Sequence, residues 1–93
     1  MADTNEFFST VIDNASGQYA IVKSDRVTVD LRDKSGKVIW STNVVAGLKN
    51  IPISGEKKVN SMEMINNKLV ITVGRGYASL DKKNGALTWI GSR

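Results

Sequence analysis

Apolar and polar residues alternate along much of this chain. In residues 27–32, Val27, Val29 and Leu31 are interleaved with Thr28, Asp30 and Arg32, the pattern of a strand with one buried side. Lys34, Ser35 and Gly36 supply a turn, with Gly36 where a positive φ is needed. Residues 37–44 return as a strand, with Val38, Trp40 and Thr42 on one face. Upstream, residues 7–12 and 19–23 are β-rich runs ended by Asn14–Gly17 and Ser24–Asp25. No window keeps apolar residues at helical spacing for three turns. The first half therefore predicts four strands in close succession.

The middle of the chain changes character. Gly47, Pro52 and Gly55 punctuate residues 45–60, and Pro52 argues against a central strand there. The second half then repeats the strand pattern. Residues 62–65 form a short strand, and Asn66–Asn67 make a tight turn. Leu69, Ile71 and Val73 line one face of the next strand, Gly74–Arg75–Gly76 turns the chain, and residues 77–81 and 86–90 close a hairpin. The expected fold class is all-β and antiparallel. It consists of two four-stranded units, residues 1–44 and 61–93, joined by a connector at 45–60 and forming one compact domain. The alternative is a single small β-sandwich or barrel.

Sliding the chain by 49 positions aligns Ala20–Trp40 with Leu69–Trp89 without a gap. Arg26 meets Arg75, Leu31 meets Leu80, Lys34 meets Lys83, Gly36 meets Gly85 and Trp40 meets Trp89. A period in the forties with four short strands per unit is the pattern of a propeller blade. The stretch "LDKKNGALTW", Leu80–Trp89, resembles the blade motif of the quinoprotein-like (PQQ-repeat) β-propellers through Asp81, Lys83, Gly85, Leu87 and Trp89. Asn84 stands where that family usually has Thr. In the first unit Gly36 and Trp40 match, while Arg32 and Ser35 replace the usual Asp and Thr. The resemblance implies a four-stranded antiparallel blade whose Trp packs on the neighbouring blade. It carries over no cofactor site, because nothing matches the family's quinone-binding or metal-binding positions. Gly36, Trp40, Gly85 and Trp89 are thus expected to be structural repeat residues. Two blades cannot close a ring, so a homo-oligomer that completes a toroid, or at least covers the open faces, is expected.

Composition removes several chemistries. The chain of 93 residues has no Cys and no His, so the commonest general base, thiolate ligands and disulfides are all missing. Asp25, Asp30, Asp33 and Asp81 lie at or near turns, where Asp is ordinary turn chemistry. The expectation is a non-enzyme with no metal and no cofactor. Thirteen Lys and Arg against nine Asp and Glu give a formal charge of +4. The basic residues are dispersed and no aromatic pattern is interleaved with them, which argues against nucleic acid as a partner. Arg26 and Arg75 sit in corresponding turns and are candidates for contact with an anionic partner. The N-terminal residues lack the features of a secretory signal, and no stretch approaches the length of a membrane span. A soluble protein, cytoplasmic or particle-associated, is expected. The function expected is structural: assembly through self-association and surface contacts, with other protein subunits as possible partners, as in a virion accessory component. The alternative is a lectin-like ring that binds carbohydrate between blades.

Overall fold

The computed structural model describes residues 7–92; Met1–Glu6 and Arg93, assigned above to the two units, lie outside the described residues. Eight strands form two four-stranded antiparallel sheets, each a simple meander. Sheet one contains β1 (Phe7–Ile12), β2 (Tyr19–Lys23), β3 (Thr28–Arg32) and β4 (Val38–Asn43). Sheet two contains β5 (Val59–Ile65), β6 (Lys68–Val73), β7 (Gly76–Asp81) and β8 (Leu87–Ser92). The all-β expectation with two four-stranded sheets therefore holds.

The connector differs from its expected outline at both ends. A single helical turn, α1 (Val44–Gly47), follows β4 directly, with the Asn43 side chain accepting the Ala46 N–H at 3.0 Å. A turn this short leaves no helical periodicity to read, and its signal is the Asn cap alone. Strand β5 starts at Val59, three residues before the expected Met62, because Val59 pairs with Val73. Val44 and Leu48 are buried, and Ile51 and Ile53 pack beside them. The connector thus closes one end of the core.

One core lies between the sheets. Sheet one contributes Ala20, Val22, Val29 and Leu31; sheet two contributes Leu69, Ile71, Val73, Ala78 and Leu80. Burial of such apolar area is the main favourable term available to a small domain without staples. Trp40 and Thr42 face this core, but Val38 does not. Leu31 pairs with Trp40 while Arg32 pairs with Val38, so Ile39 is an inserted residue. The bulge moves Val38 to the opposite side of the sheet.

The two sheets stack in the same order and the same sense. Between them the backbones approach chiefly at β1 and β5. Lys82, in the β7–β8 turn, bonds Asp13 and Ser16 of the β1–β2 loop. At the opposite end, Val59 donates its N–H to the Arg26 carbonyl at 2.8 Å. A relation that keeps both order and sense also keeps facing direction. The side of sheet one that meets the core therefore corresponds to the side of sheet two that points away from it.

Candidate functional site

The four repeat residues divide into two turns and two indoles. In sheet two, Asp81 accepts the Lys83 N–H at 2.8 Å, and Gly85 donates to the Asp81 carbonyl at 2.7 Å. In sheet one the same work falls to Asp33, which accepts the Ser35 and Lys37 N–H groups at 2.9 and 3.0 Å. Gly36 donates to the Asp33 carbonyl at 2.9 Å. Both glycines have positive φ, +97° at Gly36 and +77° at Gly85. Asp33, not Arg32, is therefore the counterpart of Asp81. The offset between units is 48 before the turn and 49 after it, because the first turn is one residue shorter. The ungapped alignment is correct only beyond the turn.

Trp40 crosses between the sheets. Its indole N–H donates to the Lys82 carbonyl at 2.8 Å, and its ring lies against Gly85, where a Cβ would come within 2.7 Å of it. Thr42 adds a hydroxyl bond to the Gly85 carbonyl at 2.9 Å. Trp89 instead lies over Gly76 of its own sheet. The two tryptophans share a sequence position but not a contact.

Arg26 and Arg75 do occupy the β2–β3 and β6–β7 turns, but their surroundings differ. The Arg26 guanidinium lies 4.5 Å from the Phe8 ring centroid. It bonds the Val59 carbonyl at 3.3 Å and the Asn60 side chain at 2.7 Å, with Glu56 at 3.8 Å. Arg26 is a clamp between the units. Arg75 is exposed.

The side of sheet one turned away from the core is the feature that sequence patterning missed. Pairing places Thr10, Ile21, Asp30 and Ser41 in one row, and Ile12, Tyr19, Arg32 and Val38 in the next. Alternation suggests that Asp30 faces water, yet Asp30 is 2% exposed and Ile21 is fully buried. Asp30 accepts from Ser41 at 2.6 Å and from Arg32 at 3.3 Å. The Arg32 guanidinium lies 5.4 Å from the Phe7 ring centroid. Phe7 pairs with Lys23 on the far side of the Ile21–Asp30 row, so Phe7 and Arg32 meet across that row and cover it. The unbroken apolar run Ala20–Ile21–Val22 was the available signal, since such a run marks a strand buried on both sides. Around this covered centre, Ile12 is 61%, Val38 45% and Phe7 39% exposed.

The correspondence between sheets gives this side its meaning. With Asp33 matched to Asp81, Asp30 and Arg32 correspond to Ala78 and Leu80. Strand pairing then matches Tyr19 with Leu69, Ile21 with Ile71 and Ile12 with Met64. Beyond the turn, Val38 matches Leu87. The outer side of sheet one is thus the counterpart of the side that sheet two buries. The outer side of sheet two carries Glu63, Val70, Ser79 and Thr88 in one row. Next to it, Ser61 and Thr72 hydroxyls bond each other at 2.8 Å.

A pocket of about 520 Å³ opens at the turn end, lined by Gln18, Leu31, Ile39, Asn67, Asp81, Lys82 and Lys83. Neither tryptophan lines it. The Lys82 ammonium is engaged by Asp13, whose carboxyl this bond holds down at about 2, helped by Ser16 and the Ala15 N–H. Hydrogen bonds from Ser35 and the Lys37 backbone likewise lower the Asp33 carboxyl. No group of three or more His, Cys, Asp or Glu able to hold a metal occurs among the described residues. No helix among them is long and apolar enough to cross a membrane. Comparison with family models, with curated proteins and with solved structures finds no match to this chain.

Proposed function

We propose that this chain is a non-enzymatic structural protein that works by assembling with copies of itself. The observation that carries this is the outer side of sheet one: its counterpart in sheet two is a packed core, and Ile12, Phe7 and Val38 on it are exposed. Exposed apolar side chains grouped on one side of a sheet mark an interaction surface. The blade-like units suggested by Leu80–Trp89 agree with this reading, since blades gain their stability by stacking face to face. Trp40 on Gly85 is one such contact within the chain. Light scattering at increasing protein concentration tests the proposal. A rise in mass above that of one chain is expected, and a constant monomer mass contradicts it.

A second reading has a specific observation behind it. The turn-end pocket combines the amides of Gln18 and Asn67 and the Asp81 carboxylate with the apolar Leu31 and Ile39, a mixture suited to a hydroxyl-rich ligand such as a carbohydrate. Glycan-array binding that is lost in Asn67→Ala and Gln18→Ala variants supports it; an empty array removes it.

A further inference from the structure

We infer that Asn84–Gly85, in the β7–β8 turn, is a site of spontaneous deamidation, and that isoaspartate formed there unseats Trp40 and loosens the joint between the sheets. Asn84 is the only Asn followed by Gly in the sequence. Glycine matters because it has no Cβ to crowd its own peptide nitrogen or to restrict the backbone conformations the reaction needs. Asn84 is exposed and lies in a turn. Its Oδ1 accepts the Ala86 N–H at 2.9 Å, which folds the side-chain amide back over the Gly85 peptide and draws electron density from its carbon. In the reaction the Gly85 nitrogen gives up its proton and bonds to Cγ of Asn84. The Cγ–Nδ2 bond breaks and ammonia leaves with that proton, closing a five-membered succinimide. Water then opens the ring. Addition at Cγ restores the ordinary peptide link, as aspartate; addition at the main-chain carbonyl leaves Gly85 joined through Cγ, as isoaspartate. The sum is one water consumed and one ammonia released. The matching turn of sheet one has Ser35 before Gly36 and is spared.

The same turn carries the joint between the sheets. Trp40 donates to the Lys82 carbonyl at 2.8 Å and Thr42 to the Gly85 carbonyl at 2.9 Å, so the two bonds land on either side of Asn84. The Trp40 ring leaves no slack at Gly85, where even a Cβ would come within 2.7 Å of it. Isoaspartate carries the chain through Cβ and lengthens it by one methylene between the two accepting carbonyls. They then cannot both keep their places under Trp40 and Thr42. Gly85 itself is buried, and its N–H donates to the Asp81 carbonyl at 2.7 Å. That bond is the brake, because the nitrogen becomes a nucleophile only when the turn opens locally and the bond is lost. A seated Trp40 therefore slows the reaction, and the product of the reaction keeps Trp40 from being seated.

Ageing the purified chain at neutral and mildly alkaline pH, followed by peptide mapping, is the test. Trypsin cuts after Lys83, so Asn84 falls in the peptide of residues 84–93, which holds no other Asn. This peptide is expected to pass from amide to carboxylate mass and to split into aspartyl and isoaspartyl forms, the second in excess. The rate rises with hydroxide and is faster in Trp40→Ala, which uncovers Gly85. The Asn84→Ser variant does not react. The aged chain then unfolds at lower urea than the fresh chain. Asn84→Asp, which has the new charge on an ordinary backbone, unfolds close to the fresh chain, and aged Asn84→Ser does the same. If residues 84–93 keep their amide in the folded chain while chain aged in urea reacts, the turn is protected and the proposed site is overturned. If isoaspartate forms but the aged chain unfolds at the same urea concentration as Asn84→Asp, its effect on the joint is overturned.

Discussion

The two sheets share a strand order, an Asp-to-Gly turn and a Trp four residues beyond the turn glycine, yet they differ in which side is apolar. In sheet two the side holding Leu69, Ile71, Ala78 and Leu80 is packed. The corresponding side of sheet one holds Tyr19, Ile21, Asp30 and Arg32, and it faces outward. The difference comes from one residue. The first turn is a residue shorter than the second, and a one-residue change in register exchanges the two sides of a strand. Leu31 and Leu80, aligned by simple offset, both reach the core because they stand on opposite sides of corresponding strands. The lesson is that repeated turns can persist while the apolar pattern between them slips.

The comparison is most strongly broken at Trp40. Replacing it with Ala removes the contact and hydrogen bond that join sheet one to the turn of sheet two. A loss of about 3–4 kcal/mol in urea unfolding is expected, the range for large aromatic truncations. Trp89→Ala removes packing over Gly76 and against the core but no bond to the turn of the other sheet, and should cost less. The turn glycines give the next contrast. At Gly85 an added Cβ would meet Trp40 and Thr42 at 2.7 and 2.8 Å, whereas at Gly36 its nearest neighbour is the Tyr19 hydroxyl at 3.5 Å. Both Ala variants carry about 1–2 kcal/mol of left-handed strain, and Gly85→Ala adds about 1–3 kcal/mol of overpacking. Equal losses at the two positions would show that Trp40 is not seated on Gly85.

Smaller effects separate the outer sides. Asp30→Ala removes the acceptor for both Ser41 and Arg32 and should cost about 2 kcal/mol, since it leaves a charged donor largely buried. Ser79→Ala, in the Glu63–Val70–Ser79–Thr88 row on the outer side of sheet two, should cost under about 1 kcal/mol. The smallest effect is on acid stability. Asp13, at about 2, lies below its ordinary value of 3.8, so its contribution is complete above 3.8 and is lost as pH falls through about 2. Asp33 is lowered as well and acts in the same direction. Asp13→Asn should flatten the fall in melting temperature between pH 4 and pH 2, and an unchanged slope would remove Asp13 from the account.

Much of the fold was legible because its causes are local. Alternation at Val27–Arg32, the turn glycines and the Asn66–Asn67 turn depend on neighbours in sequence, and Asn66 does take a positive φ of 56°. The two sheets and their antiparallel hairpins follow from those signals. What was not legible depended on insertions that leave no compositional mark. The Ile39 bulge moved Val38 outward, and the shorter turn made Asp33, rather than Arg32, the partner of Asp81. The covered row on sheet one also needs Phe7 and Arg32 to meet across the strand between them, which no local pattern encodes. Arg26 and Arg75 were placed correctly in their turns, but the clamp that Arg26 makes with Phe8, Val59 and Asn60 spans a long sequence separation.

Sedimentation equilibrium from micromolar to millimolar protein decides whether the chain assembles with copies of itself. A reversible rise above the chain mass of 10.1 kDa is expected, together with its loss in the Ile12→Glu, Val38→Glu variant. A mass that stays at one chain at every concentration would contradict assembly.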